Sequence, residues 1–354
     1  MIERRKTRQI SIGSVKIGGN APISVQSMTK TDTRDIRKTV HQIRRLEEAG
    51  CEIVRVAVVD EEAARAIAEI KKRIKIPLIA DIHFHHQLAL KAMESGTDGL
   101  RINPGNIGGR ERLKAIVLEA KKRSIPIRIG VNSGSIEKDL LKRFGGPTSE
   151  AMVTSALRTI EWIDDFGFHL IKVSLKASDV LKTIEAYRLF STKSDYPLHL
   201  GITEAGRGAG AMVKSAIGIG FLLNEGIGDT LRVSLTGDPI EEVHVGYEIL
   251  RALKIRERGV EIISCPTCGR CEIDLTHLIE KVEKGVRKIS APMTIAIMGC
   301  VVNGPGEAKE ADIGIAGGKK VGLLFKKGKT AKKIKEADIA TVLLKEVYKM
   351  VGNK

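Results

Sequence analysis

Aromatic residues are scarce in this chain, at 3% of 354 residues with a single Trp. Stacking bases of a single-stranded nucleic acid needs aromatic platforms, and too few are present to build one. Long apolar runs are missing as well. No stretch reaches the roughly eighteen apolar residues that a membrane helix requires, so no membrane span is expected. Residues 1–10 are basic, but no apolar segment or cleavage site follows, and no secretory leader is expected. Cysteine is limited to five residues, four of them in two short segments. That clustering excludes a disulfide-stapled secreted scaffold and points to a reducing, cytoplasmic setting in which thiols bind metal.

What the chain does have is positive charge, formally +16. A basic surface suits nucleic acid, an anionic small molecule or an acidic protein. The longest basic run, residues 326–335, is expected to be a solvated loop and the start of a helix.

At this length the chain suits one large α/β barrel or two domains. Between residues 21 and 235, short β-rich runs alternate with helical runs. Strands are expected at 22–28, 52–58, 77–82, 99–103, 126–132, 170–177, 197–203 and 229–235. Several are almost continuously apolar, as parallel strands buried on both faces must be. Helical patterns separate them, the first with Ile36, Val40, Ile43 and Leu46 on one face and Gly50 as its stop. Eight strand–helix units without a dinucleotide-binding glycine fingerprint favour a closed (β/α)₈ TIM barrel over a doubly wound open sheet. From residue 259 the pattern changes to strands at 261–264, 293–298, 311–316 and 320–325, with helices near 274–287 and 337–351. The expected organisation is a barrel domain over 1–258 and a smaller α+β domain over 259–354.

One feature recurs along the barrel strands: a base set between apolar neighbours, at Arg55, Arg101, Arg128, Lys172 and Arg232. Each needs an anion or a carboxylate, because an unpaired charge inside a barrel is costly. Converging guanidiniums suit a phosphate-bearing substrate, whose oxygens they bind two at a time. Polar residues gather towards the strand C-termini, where barrel enzymes keep their active sites: Asp81 and His83, Asn103, Asn132, Ser174 and Lys176, Ser234 and Thr236. The stretch 103–109, Asn-Pro-Gly-Asn-Ile-Gly-Gly, offers backbone amides to an anion. Glu204 reads equally as a counter-ion or as an acid/base group.

In the smaller domain, Cys265, Cys268 and Cys271 are spaced by two residues each, and Cys300 stands on a glycine-rich turn about thirty residues on. A zinc knuckle fits the first pair. Three close thiols and one remote thiol match an iron–sulfur framework better, since structural zinc usually takes a second close pair. Cys51, at a strand start, reads as a small buried hydrophobe.

Val-Arg-Val-Ala-Val at 54–58, Ala-Asp-Ile-His-Phe at 80–84, Leu-Arg-Ile-Asn-Pro-Gly-Asn-Ile-Gly at 100–108, Gly-Val-Asn-Ser-Gly-Ser at 130–135 and Gly-Ile-Thr-Glu-Ala-Gly at 201–206 are followed by Ser-Cys-Pro-Thr-Cys-Gly-Arg at 264–270 and Met-Gly-Cys-Val-Val-Asn-Gly-Pro-Gly-Glu at 298–307. Together they resemble the bacterial 4-hydroxy-3-methylbut-2-enyl diphosphate synthases in their two-domain form, along nearly the whole chain. The resemblance implies an oxidoreductase of the methylerythritol phosphate route to isoprenoids. Its reaction would be the reductive ring opening of 2-C-methyl-D-erythritol 2,4-cyclodiphosphate to (E)-4-hydroxy-3-methylbut-2-enyl diphosphate. It further implies a [4Fe-4S] cluster on Cys265, Cys268, Cys300 and Glu307, substrate contacts from Arg55, His83, Arg101, Arg128, Asn132, Lys176 and Ser234, and Glu204 as proton donor. The implied partners are reduced flavodoxin or ferredoxin and a second copy of the chain in a head-to-tail homodimer, with neither nucleic acid nor membrane among them. The chain departs from the family at Cys271, where a hydroxyl residue such as Thr is usual. A thiol there could displace Glu307 as the fourth ligand, but a carboxylate leaves an exchangeable iron position that four thiolates would not.

Overall fold

Alternating apolar positions along the strands decide which side of each strand meets the helices. The computed structural model describes residues 2–300 and 304–352, and its contacts divide into two units, Met1–Arg256 and Glu257–Lys354.

The first unit opens with an antiparallel hairpin, β1 (Ile10–Ile12) and β2 (Val15–Ile17). Eight parallel strands follow: β3 (Ser24–Met28), β4 (Ile53–Val58), β5 (Leu78–Ile82), β6 (Gly99–Ile102), β7 (Ile127–Asn132), β8 (Ile171–Lys176), β9 (His199–Leu200) and β10 (Thr230–Leu231). Their order is β8-β7-β6-β5-β4-β3-β10-β9, and a parallel bridge from Val173 to Leu198 links the two ends into a barrel. The TIM-barrel expectation holds. The last two strands are shorter than their apolar runs, because the chain leaves the ladder after Leu200 and Leu231 to form the mouth loops. Two short helices, Pro104–Ile107 and Lys138–Phe144, add to the helices foreseen.

Helices start where carboxylates cap them: Asp35, Asp60, Asp179 and Asp238 each accept a backbone N–H of the following first turn. The first helix, Ile36–Ala49, buries Val40, Ile43 and Leu46 and ends on Gly50 in the left-handed region, as its spacing predicts. Under the helices lie Val54, Val56, Ala80, Ile82, Leu100, Ile102, Ile127, Ile129, Ile171 and Val173. The residues between these point into the barrel. Its lower end is closed by the hairpin, whose Ile10, Ile12 and Ile17 pack on Ile53 and Ile79.

The second unit is a mixed sheet in the order β11 (Val260–Ser264), β12 (Met293–Met298), β13 (Ile313–Gly318), β14 (Val321–Lys326), β15 (Lys329–Lys335). The first three strands are parallel and the last two antiparallel. Helices Leu275–Val286 and Ile339–Gly352 cover one face through Leu278, Val282, Leu343 and Val347. Helix Gly304–Glu310 covers the other, where Ala308 meets Ala296, Met298 and Phe325. The basic run 326–335 corrects its expectation: most of it is strand β15, not loop and helix start. β14 supplies the partner ladder, and the only buried side chain of β15 is Ile334. Among the described residues no helix is long and apolar enough to cross a membrane.

Candidate functional site

Inside the barrel, strand register sets charged residues side by side. Asp81 pairs with Arg101, Arg101 with Arg128, and Arg128 with Lys172 across β5 to β8. Each sits at an inward position, and all four are buried. This is one rung of the barrel, with one negative and three potentially positive groups.

Asp81 is the counter-charge of the rung. Its carboxylate lies 3.3 Å from Arg55 Nε, 3.2 Å from Arg101 Nη1 and 3.5 Å from His83 Nε2. Burial alone would raise its pKa, but Arg55, His83 and Arg101 outweigh that and hold the carboxyl well below the usual range. Arg55 also donates to the Met28 sulfur at 3.0 and 3.2 Å, and burial pushes its pKa down to about 10. The second hand of Arg101 donates to the Gly130 carbonyl at 3.1 Å. Gly130 is glycine for a local reason: a Cβ there would stand 2.4 Å from Arg101 Nε.

Arg128 and Lys172 have no such partner. Arg128 Nε and Nη1 and Lys172 Nζ are buried without a hydrogen bond. Burial, together with the neighbouring guanidiniums, drives the pKa values of Arg128, Lys172 and Lys176 well down. His199 on β9 donates to or accepts from Thr230 Oγ1 at 2.6 Å, and its Nε2 is unpartnered. Burial first, then Lys176, Arg128 and Lys172, keep its imidazole neutral. Arg232 differs from these: Glu242, fully buried, receives its guanidinium at 3.0 and 3.1 Å and also accepts from Ser27 Oγ at 2.9 Å. Of the five strand bases, Arg232 is thus held by a helix carboxylate, Arg55 and Arg101 share Asp81, and Arg128 and Lys172 stand open.

The sequence-predicted residues take the following places. Arg55, His83 and Arg101 meet around Asp81, and Arg128 neighbours Arg101. Asn132 and Lys176 are register partners at the upper ends of β7 and β8. Ser234 is half-buried just beyond β10. Glu204 is exposed beyond β9 with φ +53, a left-handed conformation a non-glycine residue rarely holds. Because the strands are parallel, His83, Asn132, Lys176, Glu204 and Ser234 share the mouth end of the barrel. Of the amides at 103–109, three are already in use: Asn103 Oδ1 takes the Gly105 N–H at 3.2 Å, and its carbonyl takes those of Asn106 and Ile107. Sequence reasoning missed Glu242, Met28 and His199. Nothing in the sequence ties Glu242 to Arg232.

In the second unit the thiols gather where β11 and β12 end. Cys265 Sγ accepts the Gly299 N–H at 3.4 Å, and Glu272 N–H donates to the Gly299 carbonyl at 2.9 Å. A Cβ on Gly299 would fall 2.4 Å from Cys271 Sγ and 3.6 Å from Cys265 Sγ, so both sulfurs close on the residue before Cys300. Cys268 is exposed, and Cys271 Sγ donates to the Ile273 carbonyl at 3.3 Å. Glu307 is exposed on helix Gly304–Glu310. The intervening Val301, Val302 and Asn303 lie outside the described residues. Among the described residues no three His, Cys, Asp or Glu side chains are close enough to cage a single metal ion. Cys265 and Cys271 thus bring two soft donors to one glycine turn, one of them already taking a backbone N–H, an arrangement that suits thiolate ligation of a soft metal. Cys51 is buried, and burial pushes its thiol up to about 12, which leaves it inert.

Residues 7–247 match the GcpE TIM-barrel domain and residues 261–349 the GcpE protein C-terminal domain. Among curated relatives, a protein of Thermodesulfovibrio yellowstonii named 4-hydroxy-3-methylbut-2-en-1-yl diphosphate synthase (flavodoxin) is 61% identical over 99% of this chain and 100% of its own. Proteins of the same name from Caldanaerobacter subterraneus and Geobacter sulfurreducens are 61% and 58% identical, each over 99% of both chains. Among solved structures, the dihydropteroate synthase of Stenotrophomonas maltophilia is 12% identical over 70% of this chain and 98% of its own, with TM-score 0.51. The N-acetylneuraminic acid synthetase of Leptospira borgpetersenii is 12% identical over 80% and 99%, with TM-score 0.52. These two share the barrel fold only.

Proposed function

The chain belongs to the GcpE family, matching both of its domains, and from that membership we propose that it is the oxidoreductase that reductively opens 2-C-methyl-D-erythritol 2,4-cyclodiphosphate. The product is (E)-4-hydroxy-3-methylbut-2-enyl diphosphate, a step of the non-mevalonate route to isoprenoids, and the reaction consumes two electrons and two protons and releases water. The observation that carries this reading is the excess of buried cations over carboxylates in the barrel. Arg128 and Lys172 keep donors that no protein group fills, and a doubly phosphorylated ring supplies the missing acceptors.

In this reading Arg55, Arg101, Arg128 and Lys176 bind the diphosphate oxygens, with the Arg128 fork free for a two-oxygen contact. Asp81 fixes Arg55 and Arg101 and prevents the cations from repelling one another apart. His83, Asn132 and Ser234 orient the ring from the mouth. Glu204, exposed and held in a strained conformation, donates the proton that the departing oxygen takes up. Cys265, Cys268, Cys300 and Glu307 hold a [4Fe-4S] cluster, with Cys271 remaining a thiol bonded to the Ile273 carbonyl. When bound, the cluster supplies electrons one at a time to the C–O cleavage.

The electron donor is reduced flavodoxin or ferredoxin. The enzyme acts in the cytoplasm as a homodimer, with the cluster domain of one subunit serving the barrel of the other. On helix Gly208–Asn224, Val213, Ile217 and Phe221 are exposed four residues apart, an apolar stripe that a second subunit would cover. Iron and acid-labile sulfide analysis of anaerobically purified protein tests the reading: a brown, iron-loaded protein is expected. A colourless protein holding zinc would replace it with a basic zinc-ribbon function.

A further inference from the structure

The hairpin from Lys319 to Lys335 carries eight lysines and no acidic residue. Elsewhere the chain pairs its surface bases freely, as in Arg8 with Asp195, Arg110 with Asp165 and Arg188 with Glu225. In the hairpin, among the described residues, only Lys326 finds a carboxylate, that of Glu346. Lys319, Lys320, Lys327, Lys329, Lys332, Lys333 and Lys335 are all exposed. Lysines protect an edge strand from pairing with another chain. Eight like charges on one hairpin, five of them on its two strands, raise the energy of the fold and lie against the low β-propensity of Lys, so the edge alone does not account for them.

Topology places part of this charge at the same end of the sheet as the thiols. β11 and β12 run parallel and end at Ser264 and Met298, next to Cys265 and to Gly299 and Cys300. β13 is parallel to them, so its final Gly318 is at the same end. The turn 319–320 and the start of β14 follow there, and β15, antiparallel to β14, ends there with Val321 opposite Lys335. The Glu336 N–H donates to the Lys320 carbonyl at 3.1 Å, closing that corner. Lys319, Lys320 and Lys335 therefore stand at the cysteine end of the sheet, with Lys333 one pleat further in.

We propose that this lysine hairpin is the docking surface for an acidic electron-carrier protein, which hands its electrons to the cysteine end of the same sheet. The inference rests on the reductive reading above and adds to it the surface at which the donor binds. An all-lysine face complements surface carboxylates, speeds encounter and makes it depend on salt. Lysines tolerate the loose, short-lived contact that a carrier leaving after each electron needs, since they make point-charge contacts without the bidentate fork of Arg.

The test uses full-length protein in which Lys320→Glu, Lys333→Glu and Lys335→Glu are combined, beside a charge-matched control carrying Lys122→Glu, Lys142→Glu and Lys193→Glu on the barrel. Binding of a recombinant bacterial flavodoxin is measured by calorimetry at low and moderate salt. Dithionite-driven turnover of the cyclic diphosphate and thermal melting are measured on the same preparations. The expected result is salt-sensitive binding by the wild type, a loss of about tenfold or more in the hairpin variant and a much smaller loss in the control. Melting and dithionite-driven turnover stay unchanged. Equal losses in both variants, unchanged flavodoxin binding in the hairpin variant, or a wild type that ignores flavodoxin but binds duplex DNA through these lysines overturns the proposal. Failure of the wild type to turn over with dithionite would instead remove the reductive reading itself.

Discussion

Arg101 and Asp81 face each other at the same level on neighbouring strands, guanidinium Nη1 3.2 Å from carboxylate Oδ1, both buried. Arg55 and His83 close on the same carboxylate, so one acid restrains the cationic wall of the barrel. Replacing it, Asp81→Asn, keeps the shape and removes the charge. Breaking a buried pair in this way costs about 3–5 kcal/mol, and thermal unfolding at neutral pH should show a correspondingly lower midpoint. The depressed folded-state pKa contributes stability that is present above the unfolded carboxyl value, about 4, and lost as pH falls below it. The variant should therefore lose less stability than wild type on going from pH 6 to pH 3. Parallel acid profiles would contradict the assignment.

Gly130→Ala tests the site without touching a charge. Its methyl would intrude on Arg101 Nε, and overpacking of this kind costs about 1–3 kcal/mol. The expected outcome is a folded protein whose kcat/KM for the cyclic diphosphate falls by about 10²-fold, because a displaced guanidinium misplaces the substrate. Wild-type kinetics would show that Arg101 is free to move.

The buried bases also predict a proton linkage. Burial first, then Arg128 and Arg55, lowers the pKa values of Lys172 and Lys176 on β8, with Asp229 opposing at Lys172 and Arg232 and Arg101 adding at Lys176; burial, Lys176 and Arg128 lower that of His199 on β9. A group with a lowered folded-state pKa binds fewer protons folded than unfolded, so stability rises with pH up to the unfolded value, about 10.4 for lysine. A polyanion entering the barrel reverses the repulsion, and binding near pH 8 should take up protons. Calorimetric titration with the cyclic diphosphate in buffers of different ionisation enthalpy measures this directly. A buffer-independent enthalpy would contradict it.

Much of this was legible in the sequence where the signal is local. Apolar runs separated by helical spacing gave the barrel, and Gly50 marked the end of the first helix. The strand bases were visible as interruptions of those runs. Their partners were not, because Asp81 serves Arg55 and Arg101 from another strand, and Glu242 reaches Arg232 from a helix that the sequence pattern does not register against it. β15 was misread for a similar reason. Lys329–Lys335 buries one residue and shows no alternation of its own, so its strand character is imposed by pairing with β14. At 103–109 Asn103 itself takes three of the amide donors, a choice between turn chemistry and ligand chemistry that composition does not reveal.

At the thiols, Cys271→Thr should retain iron and turnover, since the Cys271 thiol is already bonded to the Ile273 carbonyl, while Glu307→Ala should lose most turnover. Iron, sulfide and rate measured on the two variants side by side decide the fourth ligand. Loss of both iron and activity on Cys271→Thr would assign the position to Cys271.

The most direct measurement is anaerobic incubation of the intact, iron-loaded protein with the cyclic diphosphate and reduced flavodoxin or dithionite, following product by mass spectrometry and reductant by absorbance. The account predicts one 4-hydroxy-3-methylbut-2-enyl diphosphate for every two electrons consumed, and none without reductant. Unchanged substrate, or turnover that proceeds equally without a reductant, would contradict it.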